Sequence, residues 1–226
     1  MSTPFLPTIV KMTPEEHAAE IATYKPLADA VRRLSLASLR TQVNEAEIAA
    51  VTEQIDALSD RLEAQQIEGA FGVNVTAGGA VRGYGNAVVG MRNPIAVPLT
   101  IVQDRDGKRA DAQFHLGPLY EGPPNCVHGG VVALMLDQIS GEAAAAGGVP
   151  GMTGTLTVRY EKPTPLGDCS ASAWVDSVEG VKTVVKGEFR AADGSVTATC
   201  QGLFIIPRWV REMIAEGAAT APSRFE

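Results

Sequence analysis

The sequence predicts an α+β domain in which a curved antiparallel sheet wraps around one long helix. Two strand patterns joined by a tight turn precede a long apolar run, and four more alternating patterns follow it. The turns Glu179-Gly180 and Asp193-Gly194 link the later strands as hairpins, so neighbouring strands run antiparallel. This order of strands, one helix and then more strands places the helix against one face of a single sheet.

Composition narrows the class of protein. The chain has 226 residues and a formal net charge of −7, which suits one domain with an appendage and argues against a nucleic-acid binder. Three cysteines without paired spacing favour neither a disulfide framework nor a zinc site, so no metal is expected. No basic leader is followed by an apolar core, and no run reaches about 18 apolar residues. These features predict a soluble, cytoplasmic protein without a membrane span.

Residues 1–68 are predicted to form an N-terminal helical extension. Thr13 followed by Pro14 and two glutamates is typical of a helix start, and we expect a short helix to about Ala22. A second helix is predicted over 27–41 and a third over 45–66.

The third predicted helix carries apolar residues spaced by three and four positions, as in a coiled coil. Two interpretations stay open, because two heptads are too few to decide. The helix belongs either to a dimerising or lid-forming hairpin, or to the surface of its own domain. The apolar positions are Ile48, Val51, Ile55, Leu58 and Leu62.

Residues 69–98 are rich in Gly, Asn and Pro and are predicted to be a linker or mobile arm. They contain no glycine-rich phosphate-binding motif. The main domain is predicted over 99–207. It begins with strands over 99–104 and 109–116, joined by the turn Asp106-Gly107.

The stretch from Gly122 to Gly148 is unlike the rest of the chain. A Gly-Pro-Pro loop leads into two glycines and then an apolar run, which predicts a loop aimed at the start of a helix that is buried on all sides. Asp137 interrupts that run, and a carboxylate is kept in such surroundings only when it is paired or used. The free N–H groups at 128–130 attract anions and lie on the same face, about two turns away.

Four strands are predicted after this helix. The last segment, 208–226, is predicted to hold a short helix over 209–215 and a loose tail after Gly217. The predicted strands cover 153–160, 169–178, 181–191 and 196–206.

The loop and helix Gly-Pro-Pro-Asn-Cys-Val-His-Gly-Gly, followed by Asp137, resemble the signature of the hot-dog-fold acyl-CoA thioesterases of the PaaI- and THEM-like branch. Two later blocks, Tyr160-Glu-Lys-Pro and Val178-Glu-Gly, resemble further blocks of that family in the same order. The resemblance covers about residues 95–207. It implies a hot-dog fold, in which a sheet wraps one long helix.

The resemblance also implies hydrolysis of acyl-CoA thioesters by a homodimer or dimer of dimers with shared active sites. Asp137 would be the general base or the nucleophile, and both roles stay open. The Gly129 N–H would hold the oxyanion, and His128 would orient the loop or the thioester. Thr153 would place the water, from the other subunit. No cofactor is implied, because coenzyme A belongs to the substrate.

The same resemblance implies a binding surface for substrate and coenzyme A. Glu161 and Val181 stand where relatives often have basic residues, so we expect fewer phosphate contacts, or contacts placed differently. Cations that match phosphate oxygens are the usual solution for such a surface. The candidate residues are Asn125, Gly130, Arg159, Lys162 and Lys182.

Two other functions are compatible with these residues. The first is a hot-dog enoyl-CoA hydratase or dehydratase, which would pair a histidine with an acid. The second is a non-catalytic acyl-CoA-binding regulatory protein in which the N-terminal helices signal. The identity of the acyl group cannot be predicted, because the depth of the tunnel depends on side-chain packing.

Overall fold

A computed structural model describes residues 8–215. It divides into two compact units, Met1–Ala96 and Val97–Glu226. The predicted loose tail after Gly217 lies outside the described residues.

The first unit combines two long helices with a small three-stranded sheet. β1 pairs with β2 in parallel, and β2 pairs with β3 antiparallel. Thr13 caps α1 in a capping box with Glu16, as the helix-start signal predicts. The elements are β1 (Thr8–Val10), α1 (Pro14–Arg40), α2 (Glu45–Glu63), β2 (Asn74–Thr76) and β3 (Val81–Arg82).

The prediction of two separate helices before residue 42 is wrong, because α1 runs unbroken through Pro26. A proline inside a helix removes one hydrogen bond and leaves the carbonyl four residues earlier without a donor. Here that carbonyl belongs to Ala22, which is exposed and can bind water. Asp29 supports the next turn through ion pairs with Lys25 and Arg32, at 2.7 Å each.

The segment predicted as a linker or mobile arm contains β2 and β3 and contributes to a cluster of aromatic and arginine side chains. Arg82 forms a nearly buried ion pair with Glu20 of α1 at 2.6 Å. The Arg92 guanidinium lies 3.5 Å from the ring centroid of Tyr24, also on α1. Such cation–π contacts and ion pairs are not visible in a Gly-rich composition.

The second unit confirms the predicted fold class. Its six strands form one antiparallel sheet in the order β4-β5-β7-β8-β9-β6, and α3 packs on one face. The elements are β4 (Thr100–Asp104), β5 (Arg109–Leu116), α3 (Gly129–Ala146), β6 (Met152–Tyr160), β7 (Gly167–Glu179), β8 (Lys182–Ala191), β9 (Val196–Ile205) and α4 (Arg208–Ala215).

The core lies between α3 and the concave face of the sheet. Alternate residues of β5, β7, β8 and β9 point inward, and many are alanine or glycine, which lets the helix approach closely. Phe114 and Phe189 fill the remaining space in an edge-on contact at 5.5 Å. The fully buried helix residues are Val132, Met135, Leu136, Ile139, Ser140, Ala143 and Ala144.

One face of α3 is open, so the expectation of a helix buried on all sides is wrong. Leu134 is 42% exposed, Gly130 is exposed, and Asp137 is half-buried. The sheet covers only the opposite face of the helix. β6 borders this open face as an edge strand, and most of its residues are exposed.

Candidate active site

The loop before α3 is held in shape by backbone hydrogen bonds. Gly122 N–H donates to the Cys126 carbonyl at 2.9 Å, and His128 N–H donates to the Tyr120 carbonyl at 2.9 Å. A Cβ on Gly122 would lie 2.7 Å from His128 Cα, so only glycine fits there. Asn125 adopts φ 60°, a left-handed conformation that asparagine tolerates better than most residues. These features of the loop place His128 at the start of the helix.

His128 caps α3. Its Nδ1 accepts a hydrogen bond from the Gly130 N–H at 3.0 Å, so the neutral ring carries its proton on Nε2. Its carbonyl accepts from Val131 N–H at 2.9 Å and from Val132 N–H at 3.2 Å. Of the two roles that the sequence left open for His128, these contacts support orientation of the loop.

Gly129 is left with an unused donor. The neighbouring N–H groups, those of His128, Gly130 and Val131, donate to the acceptors just described. The Gly129 N–H has no acceptor within residues 8–215. A free N–H at a helix start, where the helix dipole is positive, is suited to binding a negatively charged oxygen.

Tyr160 fixes this donor from the neighbouring strand. Its hydroxyl donates to the Gly129 carbonyl at 2.7 Å, and a Cβ on Gly129 would lie 3.4 Å from the ring. From the sequence, Tyr160 was part of a motif without a role of its own. The period-two pattern of β6 already placed it on the same face as Leu156 and Val158, the face that points to α3.

Asp137 lies two turns into α3 and is held by one oxygen. The Thr153 hydroxyl donates to Asp137 Oδ1 at 2.8 Å. Within residues 8–215 no ion pair reaches this carboxylate, and Oδ2 accepts no hydrogen bond. One oxygen is thus anchored while the other is available to a water or substrate. Thr153 belongs to the same chain as Asp137, so this contact does not need the other subunit that we expected to supply Thr153.

The two contacts of β6 also show the direction of the helix. Tyr160, at the end of β6, contacts the start of α3, and Thr153, near the beginning of β6, contacts Asp137. α3 therefore runs antiparallel to β6. Because Asp137 is eight positions after Gly129, the two residues lie about 12 Å apart along the helix axis.

The architecture extends to a solved protein of closely similar sequence. A crystal structure described as a thioesterase superfamily protein superposes with a TM-score of 0.72 at 35% sequence identity, covering 81% of this chain and 95% of that one. The chain belongs to the thioesterase superfamily. The family model described as "Thioesterase superfamily" matches residues 125–198, which contain α3 and both of its contacts with β6.

Curated relatives of this superfamily member carry the name acyl-coenzyme A thioesterase THEM4. The Xenopus laevis protein is 40% identical over 103 residues, which are 43% of this chain and 45% of that protein. The Bos taurus protein is 31% identical over 120 residues, 51% of this chain and 48% of that protein. The matched region thus spans less than half of each relative's length.

The three predicted cations are not brought together in this superfamily member. Arg159 pairs with Glu161 at 3.1 Å and lines a groove on the convex face of the sheet beside Trp174. Lys162 follows β6 in an exposed loop near the end that holds Tyr160. Lys182 lies at the other end of the sheet, where β8 pairs with the last residue of β9. No single patch of one chain contains all three.

Asn125, the remaining polar candidate, uses its backbone within the loop. Its N–H donates to Glu121 Oε1 at 2.6 Å, and its carbonyl accepts from Leu166 N–H at 3.0 Å. Its side chain is exposed. Gly130, the other candidate of this set, spends its N–H on His128. Neither backbone donor is free for a substrate in the way that the Gly129 N–H is.

Two further features of the described residues concern metal binding and membrane spanning. No three His, Cys, Asp or Glu side chains within residues 8–215 are grouped so that they could hold a metal ion. Across the same residues, each helix is too short or too polar to cross a bilayer.

Proposed function

We propose that this protein hydrolyses acyl-CoA thioesters to the free acid and coenzyme A. The observation that carries the proposal is a pair of groups on the open face of α3. Asp137 is anchored by Thr153 through one oxygen and keeps the other free, and the Gly129 N–H is a donor without an acceptor within the described residues. A base and an oxyanion donor are the two parts that hydrolysis of an activated ester requires.

In the general-base form of the reaction, Asp137 takes a proton from water as the water oxygen bonds to the thioester carbon. The carbonyl oxygen gains negative charge and is held by the Gly129 N–H at the positive end of the helix. The C–S bond then breaks, and the coenzyme A thiolate leaves and is protonated. In the nucleophilic form Asp137 attacks the carbon itself, the C–S bond breaks to release the coenzyme A thiolate and leave a mixed anhydride, and water then hydrolyses that anhydride to the free acid and Asp137. General-base action contributes roughly 10²- to 10⁴-fold and one oxyanion donor roughly 10²- to 10³-fold.

The spacing of the two groups favours a site shared between subunits of a homodimer. A base needs to lie within about 3 Å of the attacking water, and the donor within about 3 Å of the carbonyl oxygen. A separation of about 12 Å along one helix is long for a single carbonyl group. Gly129 of one subunit and Asp137 of another can be closer, because helices related by a two-fold axis can pack antiparallel.

β6 offers the edge for such a dimer. It is the last strand of the sheet, and its outer edge has no partner strand in the described chain. Antiparallel pairing of two β6 strands would continue the sheet and set two α3 helices side by side in opposite directions. An open edge is otherwise a liability that proteins cover. Assembly into a dimer of dimers is a further possibility of the same proposal.

The curated relatives support the substrate class. Proteins named acyl-coenzyme A thioesterase match about half of this chain at 31–40% identity. Coenzyme A enters as part of the substrate and not as a cofactor. Because Arg159, Lys162 and Lys182 are dispersed in one chain, we propose that any of them that binds coenzyme A phosphates does so together with groups of the second subunit. We also propose a cytoplasmic location.

The hydratase alternative fits the site less well. It needs a histidine and an acid that act on one substrate, but His128 lies nine residues before Asp137, about 13 Å along the helix. Its Nδ1 is already an acceptor for the helix start. Proton shuttling through this ring would break the cap.

The test is a screen of the purified chain against acyl-CoAs of graded length and against aryl and enoyl CoAs. We expect release of free thiol, measured with a chromogenic disulfide reagent, and no loss of enoyl absorbance without thiol release. Loss of enoyl absorbance alone would establish the hydratase. Tight binding without turnover, measured by calorimetry across the whole panel, would establish the binding protein.

A further inference from the structure

The outer surface of the first unit carries an apolar stripe on α2. We define the α2 seam as Ile48, Val51, Ile55, Leu58 and Leu62, which repeat at intervals of three and four along one face. Such spacing gives the a and d positions of a heptad, the positions that pack between helices in a coiled coil.

Within residues 8–215 the seam is exposed at three of its positions and half-buried at Val51 and Ile55. None of the 19 residues of α2 is buried, and Ile48, Leu58 and Leu62 are 43%, 51% and 55% exposed. No helix or strand within residues 8–215 makes an extended contact with α2. The interpretation that α2 lies on the surface of its own domain is therefore not what the structure has.

An uncovered helix of this length needs support. Most of the stability of helices in proteins comes from packing of an apolar face and not from intrinsic propensity. Asn44 caps α2 by accepting from the Glu47 N–H at 3.0 Å, which stabilises only the first turn. Residues 8–215 leave the seam without a partner helix, and a second molecule can supply the burial.

We propose that the α2 seam binds the α2 seam of a second copy of this chain, in antiparallel orientation. Setting Val51 opposite Ile55 of the second copy about a two-fold axis also sets Ile48 opposite Leu58. The four layers made by these residues are then filled from both sides, while Leu62 lies opposite Asn44 at the end of the contact. The same patch serves both copies, as two-fold symmetry requires.

The flanking charges favour this orientation. In the antiparallel register Glu47 faces Arg61 of the second copy, which gives two opposite-charge pairs across the contact. Neither side chain has an ion-pair partner within residues 8–215. In a parallel pair Glu47 would face Thr52 and Arg61 would have no acidic partner. The charges along α2 therefore complement those of a second α2 that runs in the opposite direction.

Gln54 provides a cross-linking test, because the two-fold axis sets it opposite Gln54 of the second copy. Full-length Gln54→Cys should form a covalent dimer with a short bis-maleimide, and Ile55→Glu added to it should abolish that dimer. Glu53→Cys, on the opposite face of the same helix, is the matched control, and the unmodified chain gives the background from its native cysteines. Equal cross-linking at positions 53 and 54, or none at 54, overturns the proposal.

A charge test addresses orientation directly. Gln54→Glu and Gln54→Lys should each weaken association severalfold, because like charges then meet at the axis, whereas an equal mixture should associate about tenfold more tightly than either variant alone. Sedimentation velocity over a wide concentration range measures this, and circular dichroism confirms that α2 stays helical. If the mixture is no tighter than the separate variants, the antiparallel pair is wrong and the seam has another occupant.

The thioesterase proposal does not depend on this contact. Turnover per chain in Ile55→Glu should match that of the wild type at concentrations where the catalytic assembly is intact. An inactive wild-type chain that still cross-links through Gln54→Cys would overturn the proposed function and leave the α2 seam standing.

Discussion

Tyr160 gives the sharpest test of how the start of α3 is prepared for catalysis. Its hydroxyl is the group that holds the Gly129 carbonyl, at 2.7 Å, and it reaches that carbonyl from a different element, β6. Tyr160→Phe removes only the hydroxyl and keeps the ring that packs on Gly129. Gly129 then stays in the helix, but its carbonyl no longer accepts the hydrogen bond from Tyr160 that fixes the position of its N–H.

The size of the effect follows from the hydrogen bond that is lost. A neutral hydrogen bond contributes about 0.5–1.5 kcal/mol, which corresponds to about two- to twelvefold in rate if it is all expressed in the transition state. Complete loss of an oxyanion donor would cost roughly 10²- to 10³-fold. We therefore expect kcat to fall by about two- to twelvefold. KM should change by less than about twofold, because the donor acts mainly on the charge that develops in the transition state.

The assay is steady-state thiol release from the best acyl-CoA of the screen. Tyr24→Phe is the matched control, since it makes the same change in the first unit and keeps the ring on which Arg92 stacks. Thermal unfolding of both variants separates a positioning effect from a loss of structure. A Tyr160→Phe enzyme with the wild-type kcat would refute the reasoning, and so would a loss that appears only in KM.

Three further changes test other parts of the account. Gly122→Ala should impair folding and activity together, since its Cβ would lie 2.7 Å from the His128 backbone. Gly141→Ala is the matched control, because its Cβ would lie 3.7 Å from the nearest neighbouring atom. That control should raise the unfolding temperature through a gain of about 0.5–1 kcal/mol in helix stability. Asp111→Asn should destabilise by less than about 1 kcal/mol at pH 7, because the pair with Arg109 is exposed. Hydrogen bonding from Arg109 lowers the pKa of Asp111, so its stabilisation is present above the unfolded pKa and is lost as the pH falls through the folded one. The free energies of unfolding from urea titrations of both proteins should begin to converge below about pH 4 and coincide only below the folded pKa. Burial raises the pKa of Cys169 to about 11, so mass spectrometry of the native protein at pH 8 should find Cys126, which is half-buried, alkylated first.

The fold was predictable because its signals are local. The alternating patterns of β4 to β9 and the turn residues between them appear directly in the sequence, and each of these six strands lies within two residues of its predicted bounds, whereas β1 to β3 were not predicted. The capping signal at Thr13 was equally reliable. The prediction that a helix ends before Pro26 was wrong. Proline usually ends a helix because it cannot donate to the carbonyl four residues earlier, but here that carbonyl belongs to the exposed Ala22.

The site was predictable only in part. The pattern of glycines and one carboxylate on an apolar helix pointed to the N–H groups of residues 128–130 and to Asp137, because free N–H groups and charges among apolar residues are exceptional. The choice of Gly129 among these donors came from the family resemblance. The contacts of Thr153 and Tyr160 with α3 depend on which strand lies beside the helix. Strand order in the sheet is a long-range property, and here β6 pairs with β9 and not with its neighbour in sequence, β7. The local patterns of a single sequence do not reveal this strand order.

Asp137 is the residue on which the thioesterase account depends, and Asp137→Asn tests it directly. Asparagine keeps an oxygen that can accept the Thr153 hydroxyl, at present 2.8 Å from Asp137 Oδ1, so the fold should survive and the unfolding temperature should stay within a few degrees. Single-turnover thiol release should nevertheless fall by at least about 10²-fold, the loss expected for a general base. Wild-type turnover in a folded Asp137→Asn protein would contradict the account.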